Sequence, residues 1–166
     1  MKTQAKKAPA PKLSNTEQLA YELEALKHRL TRQVAESQAA VEKLTAAMKS
    51  PFYAIDRFEW LGSYATGIVE GALAERVLAI ADPKNADKDE VEPRSLEAAA
   101  QAVLNMETEA LMRDQYRGSS TSAFHNATQD ARREAASRFC GDFGVRRYLE
   151  RITELKQKIA AERHAA

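Results

Sequence analysis

Large apolar residues recur through this chain at helical spacing, and they divide it into successive helices. Leu19, Leu23, Leu26 and Leu30 follow one another at steps of four, three and four. Such steps keep side chains on one face of a helix. Val34, Val41, Leu44 and Met48 continue the stripe, but the seven-residue frame slips after Leu30. An eleven-residue frame fits better, since Leu19, Leu30 and Val41 are 11 apart. That period favours a nearly straight or weakly right-handed seam. Glu22, Glu24, Lys27, Arg29, Arg32, Glu36, Glu42 and Lys43 fill the other faces. Ser14 and Glu17 have capping-box spacing, so helix 1 should begin at Ser14 or Asn15. A helix of about 34 residues would span about 50 Å. That is longer than a compact domain of this size is wide, so part of it should project or pair with another chain.

Ser50-Pro51 should end helix 1 and start helix 2, since serine suits the cap and proline the first helical position. Helix 2, over 51–81, holds Phe52, Tyr53, Ile55, Phe58, Trp60, Leu61, Tyr64, Ile68, Val69, Leu73, Val77, Leu78 and Ile80. It should be the centre of the core, with Leu61 and Ile68 among the buried anchors. Ser63, Gly67 and Gly71 recur every four residues and make a smooth strip where another helix could approach. Each glycine costs a helix up to about 1 kcal/mol against alanine. The strip therefore implies close packing, or a break near Gly62. Asp82-Pro83 closes the segment, and 83–93 reads as a charged loop.

Helix 3 should cover 94–117, with Leu96, Ala99, Ala100, Val103, Leu104, Met106, Leu111 and Met112 as its apolar positions. Gly118 and the serines and threonine after it form a link. Helix 4, over 123–139, has a narrow, alanine-rich stripe of Phe124, Thr128, Ala131, Ala135 and Phe139. The sequence Cys140-Gly-Asp-Phe-Gly144 is a turn. Helix 5, over 145–163, carries Val145, Tyr148, Ile152, Leu155 and Ile159 at heptad steps. The expected fold is therefore all-α, with about five helices. It has a long coiled-coil-like N-terminal helix, a central hydrophobic helix and a C-terminal heptad helix. As domains, 1–13 reads as a disordered basic tail, 14–50 as the long amphipathic helix and 51–166 as a helical bundle.

Charge adds a second pattern. Residues 1–13 hold four lysines and no acid, 14–50 are neutral, 51–117 carry a net −6 and 118–166 a net +3. The whole chain of 166 residues sums to +1, which excludes a globally basic nucleic-acid coat. One cysteine excludes an intramolecular disulfide framework and a cysteine-rich zinc site. No run of apolar residues is long enough for a membrane helix, and MKTQAKKAPAPKLS lacks the apolar centre of a secretory signal. These features point to a cytoplasmic protein that does not enter membranes.

Catalytic sets are missing from the pattern. The three histidines, His28, His125 and His164, have Ala25, Ser122 and Ala161 three residues before them. The Glu-x-x-His pattern of di-iron bundles is therefore absent. No phosphate loop occurs, since Gly62 to Gly71 lacks the Lys-Ser/Thr that one needs. Cys140 lies near Arg138 and Arg146, which could lower a thiol pKa, but a structural cysteine is the simpler reading. No metal, cofactor or catalytic residue is expected, and the chain reads as a non-enzyme.

Two features carry functional expectations. The first is the pair of apolar seams: Leu19, Leu23, Leu26, Leu30, Val34 and Val41 on helix 1, with Tyr148, Ile152, Leu155 and Ile159 on helix 5. They suggest a helical interaction protein, an adaptor, inhibitor or assembly factor, that meets a protein partner or forms a homo-oligomer. Helices 1 and 5 could instead satisfy each other within one chain. The second is an arginine cluster, Arg132, Arg133, Arg138, Arg146, Arg147 and Arg151, six arginines in 20 residues around the 140–144 turn. With helices 4 and 5 it has the outline of a helix-turn-helix, a contact site for phosphate or an acidic partner. A DNA-associated regulator using this segment and the basic tail is thus the alternative. Glu134, Glu150 and Glu154 stand among the arginines and favour an ordinary salt-bridged surface instead.

Overall fold

A computed structural model describes residues 12–50, 52–85, 95–116 and 123–166, with side chains at all of these except 53–63, 85, 107–116 and 123–129. The fold is all-α, with no strand among the described residues. The helices are α1 (Asn15–Met48), α2 (Tyr53–Ala81), α3 (Leu96–Tyr116), α4 (Ala123–Cys140) and α5 (Val145–Ala165), and a 3₁₀ turn covers Pro83–Asn85. The basic tail up to residue 11, most of the 83–93 loop and the 118–122 link lie outside the described residues.

Local chemistry accounts for the helix ends. The Glu17 N–H donates to Ser14 Oγ at 3.3 Å, and the Ser14 N–H donates to Glu17 Oε2 at 2.7 Å, which completes the capping box. The Ser14 hydroxyl also donates to Glu17 Oε2, at 2.8 Å, and the two donations, from the amide first and the hydroxyl second, hold the Glu17 carboxyl below its usual range. At the hairpin between α1 and α2, Ser50 Oγ accepts from the Phe52 N–H at 3.3 Å. Phe52 occupies the cap of α2 without a side-chain bond of its own. Helix α2 then runs through Gly62 unbroken.

Polar pairs between helices give their directions. Asn15 Nδ2 donates to Glu162, and Arg151 donates to Gln18 at 3.1 Å, so α5 runs antiparallel to the first half of α1. Thr66 Oγ1 donates to Glu134 at 3.5 Å and Arg138 Nε lies 3.4 Å from Glu70, so α2 and α4 run parallel. Lys156 pairs with Glu97 and ties α5 to the first turn of α3.

All five helices feed one buried cluster. Leu26 and Leu30 come from α1, and Leu73, Ala74 and Val77 from α2. Helix α3 adds Ala99, Ala100, Val103 and Leu104; α4 adds Phe139; α5 adds Val145, Leu149 and Ile152. Thus α1 contributes to the same core as the helices that follow it. Of the apolar positions expected on α2, Leu73 and Val77 are buried. Ile68 is only half-buried, and the side chain of Leu61 lies outside the described residues. The fully buried positions, Ala74 and Val77, sit where α2 shares the cluster with the four other helices.

Small residues set two close approaches. A Cβ added at Gly71 would overlap Ser37, whose hydroxyl donates to the Ile68 carbonyl at 3.3 Å, so α1 and α2 pack almost backbone to backbone there. Gly67 has nothing within 4 Å of such a Cβ, so the strip is used at Gly71 only, among these two. On α4, Ala131, Ala135 and Ala136 are buried beside Phe139, and their size lets α4 lie close to the bundle.

Candidate functional site

The two predicted seams meet inside the domain. Leu26, Leu30, Ile152 and Leu155 are fully buried, and Leu19, Leu23, Val34 and Tyr148 pack partly buried against the same cluster. Ile159 is half-buried. The apolar stripe of α1 is therefore covered within the chain, by α5 along its first half and by α2 further on. Val41 is the exception on the predicted seam, 45% exposed on the distal half of α1.

The arginine cluster is spread over several faces and is largely engaged. Arg133 lies 3.5 Å from Asp130, and Arg138 lies 3.4 Å from Glu70. Arg151 is 2.7 Å from Glu154 and also bonds Gln18. Arg132 is half-buried and has a partner as well. Arg147 stacks over the Phe143 ring, 5.8 Å from its centroid, a cation–π contact. Arg146 lines a cleft with Glu150 and Glu154. Acids thus interleave with arginines on the outer face of α5, where a phosphate reader would need positive charge.

The turn between α4 and α5 builds a different feature. The Gly144 N–H donates to the Gly141 carbonyl at 2.8 Å, which closes the turn. A Cβ at Gly144 would overlap the carbonyls of Arg138 and Phe139, so only glycine lets α5 start this close to the end of α4. This tight reversal leaves Phe143 at the surface, 80% exposed. Across from it, α1 presents Tyr21, 67% exposed, although its neighbours Leu19 and Leu23 face inward.

Tyr21, Ala25, Phe143 and Tyr148 form the shared rim of two clefts. The larger, about 820 Å³, runs between α1, α2 and the end of α4, and Glu24, His28, Arg29, Arg32, Gln33, Glu36, Glu70, Arg138 and Asp142 also line it. The smaller, about 490 Å³, adds Glu22, Arg147, Glu150, Arg151 and Glu154.

Glu70 is the most perturbed group in the larger cleft. It is only 8% exposed. Burial pushes its carboxyl above the usual range, against the pull of Arg138 and Arg29 and with a further push from Glu134 and Glu36. Among the described residues, two side-chain atoms of α1 are shielded from solvent and have no hydrogen-bond partner, Arg29 Nε and Gln33 Oε1, one helical turn apart. On the other cleft, bonds from Lys158 and then Arg151 hold the Glu154 carboxyl below its usual range.

Sequence reasoning did not single out Tyr21, Phe143 or Glu70. Tyr21 stands off the leucine stripe by half a turn, and an aromatic at a solvent position is a readable signal. Phe143 in a two-glycine turn is another. The burial of Glu70 has no such signal, because α2 is apolar on several faces at once. Among the described residues, no group of three or more His, Cys, Asp and Glu could hold a metal, and no helix is long and apolar enough to cross a membrane. The chain matches no known family, and comparison with curated proteins and with solved structures gives no significant match.

Proposed function

We propose that this protein is a non-enzymatic helical interaction protein, and that its partner docks on the face made by α1, the 141–144 turn and α5. One observation carries the reading: Tyr21 and Phe143 stand exposed on the shared rim of two clefts, in a domain whose helical seams are largely filled from within. Aromatic residues and arginine are enriched at the energetic centres of protein interfaces, and Arg147 on Phe143 supplies both. Their exposure gives the isolated chain no benefit in core packing, so a partner that covers them would gain the apolar area.

The test is a displayed peptide library selected on the full chain and counter-screened on Tyr21→Ala/Phe143→Ala. Both side chains are exposed, so the double variant keeps its circular dichroism spectrum. Selected peptides should lose binding to the variant at least tenfold. Enrichment of peptides that bind both proteins equally would remove the proposal's support.

A further inference from the structure

The charge balance around that rim identifies the chemistry of the partner. Among the described residues, seven carboxylates and five guanidiniums line the two clefts. Three of the guanidiniums are matched within the chain, Arg32 by Glu36, Arg138 by Glu70 and Arg151 by Glu154. Glu22, Glu24, Asp142 and Glu150 make no ion pair among the described residues, and they surround Tyr21, Phe143 and Tyr148 from α1, the turn and α5. Against them stand Arg29, which pulls on the buried Glu70, and Arg147, which lies on Phe143. The open rim is therefore aromatic and net acidic.

We propose that this rim takes a basic peptide segment, with a lysine or arginine side chain laid across Tyr21 and Phe143 and facing Glu24 and Asp142. The inference rests on the docking face proposed above and names what docks there. The Phe143 ring accepts a guanidinium from Arg147 at 5.8 Å, so its ring face is already used as a cation seat within the chain. Unpaired carboxylates stand on three elements around the two clefts, so the rim suits an extended segment with more than one basic side chain rather than a bare cation.

Fluorescence anisotropy with the full chain tests this. The probes are labelled peptides of about ten residues, the length of a short interface segment. One bears lysine and arginine on an alanine–glycine background, one bears glutamate at the same positions, and one is uncharged. The basic peptide should bind, and more weakly as salt rises. Glu24→Gln/Asp142→Asn should weaken it about fivefold to tenfold, the effect of two exposed ion pairs. Phe143→Ala should weaken it by a similar factor. Both changes are at exposed positions, and an unaltered unfolding midpoint confirms the fold. If the acidic or uncharged peptide binds better, and Tyr21→Ala/Phe143→Ala abolishes that binding, the docking face stands and the basic partner is refuted. Binding of the basic peptide that ignores Glu24→Gln/Asp142→Asn also refutes it, as general attraction to the chain. If no peptide binds, both proposals fall.

Discussion

Replacing Gly71 with alanine tests whether α1 and α2 touch where the structure places them. On an isolated helix the change would stabilise, since glycine costs up to about 1 kcal/mol against alanine. In the bundle, the new Cβ overlaps Ser37 Cβ and Oγ and comes within 3.2 Å of the Gln33 carbonyl oxygen. Ser37 is 9% exposed and its hydroxyl bonds the Ile68 carbonyl, so it has no free direction in which to move. Overpacking of this kind costs about 1–3 kcal/mol, and loss of the Ser37 bond adds about 1 kcal/mol. The single variant should therefore be less stable by about 1–3 kcal/mol after the propensity gain is subtracted.

The compensating change is Ser37→Gly, which moves the small residue from α2 to α1. Alone it should cost about 1–1.5 kcal/mol, from the lost hydrogen bond and the poorer propensity of glycine against serine. In Gly71→Ala/Ser37→Gly the overlap with Ser37 is gone, and only the 3.2 Å approach to the Gln33 carbonyl remains to be relaxed. The double variant should lie within about 1 kcal/mol of the parent, a coupling of about 2 kcal/mol in a double-mutant cycle. Urea unfolding followed by circular dichroism measures all four proteins, and unchanged m-values show that the denatured state is not the source. Additive single effects, or a Gly71→Ala protein more stable than the parent, would refute the contact.

Gly144→Ala should destabilise by about 1–3 kcal/mol, because its Cβ meets the Arg138 and Phe139 carbonyls rather than a side chain that could turn aside; a parent-like thermal midpoint would contradict the turn. Glu70 has a folded pKa above its unfolded one, so the native state holds that proton longer, and the contribution of Glu70 to stability is greatest below the unfolded value and declines as pH rises through the raised folded value. The parent should thus lose stability relative to Glu70→Gln across that window, and parallel pH–stability curves for the two proteins would show that Glu70 is not desolvated. Duplex DNA should bind weakly or not at all, because Arg138 and Arg151 already pair with Glu70 and Glu154; tight binding whose log–log salt slope flattens by about 2 per chain in Arg147→Ala/Arg151→Ala would restore the regulator reading.

Much of this fold could be read from residue order, because its signals are local. Ser14 and Glu17 mark the start of α1 through bonds that span one turn. The Cys140–Gly144 turn, the alanine stripe of α4 and the heptads of α5 are equally local. What could not be read was which surface each helix turns to which neighbour. Helix α2 is apolar on several faces, so its pattern favoured Ile68 as a core anchor, yet Ile68 is half-buried while Val77, in the cluster that all five helices share, is buried fully. Gly67 and Gly71 looked equivalent for the same reason, yet only Gly71 meets α1. The rim joins residues more than a hundred positions apart, Tyr21 and Phe143, and depends on the antiparallel pairing of α1 with α5. No spacing rule along one helix can show such a site.

That pairing also bears on where a partner can bind. Leu26 and Leu30 on the one seam and Ile152 and Leu155 on the other lie fully buried. Burying a side chain of this size is worth about 1.5–3 kcal/mol, so exposing all four would cost about 6–12 kcal/mol. A domain of ordinary stability has only about 5–15 kcal/mol in total. A partner that entered between α1 and α5 would have to expose part of this buried apolar surface, at a cost that is large against such a total. Tyr21 and Phe143 need no such opening. They are exposed on the folded domain, next to clefts that stay open while the seam stays closed. The seams fix the relative position of α1 and α5, and with it the spacing of the two rings. A core change such as Ile152→Ala should therefore weaken docking in step with global stability, whereas Phe143→Ala should weaken docking and leave stability within about 0.5 kcal/mol of the parent, as exposed substitutions usually do.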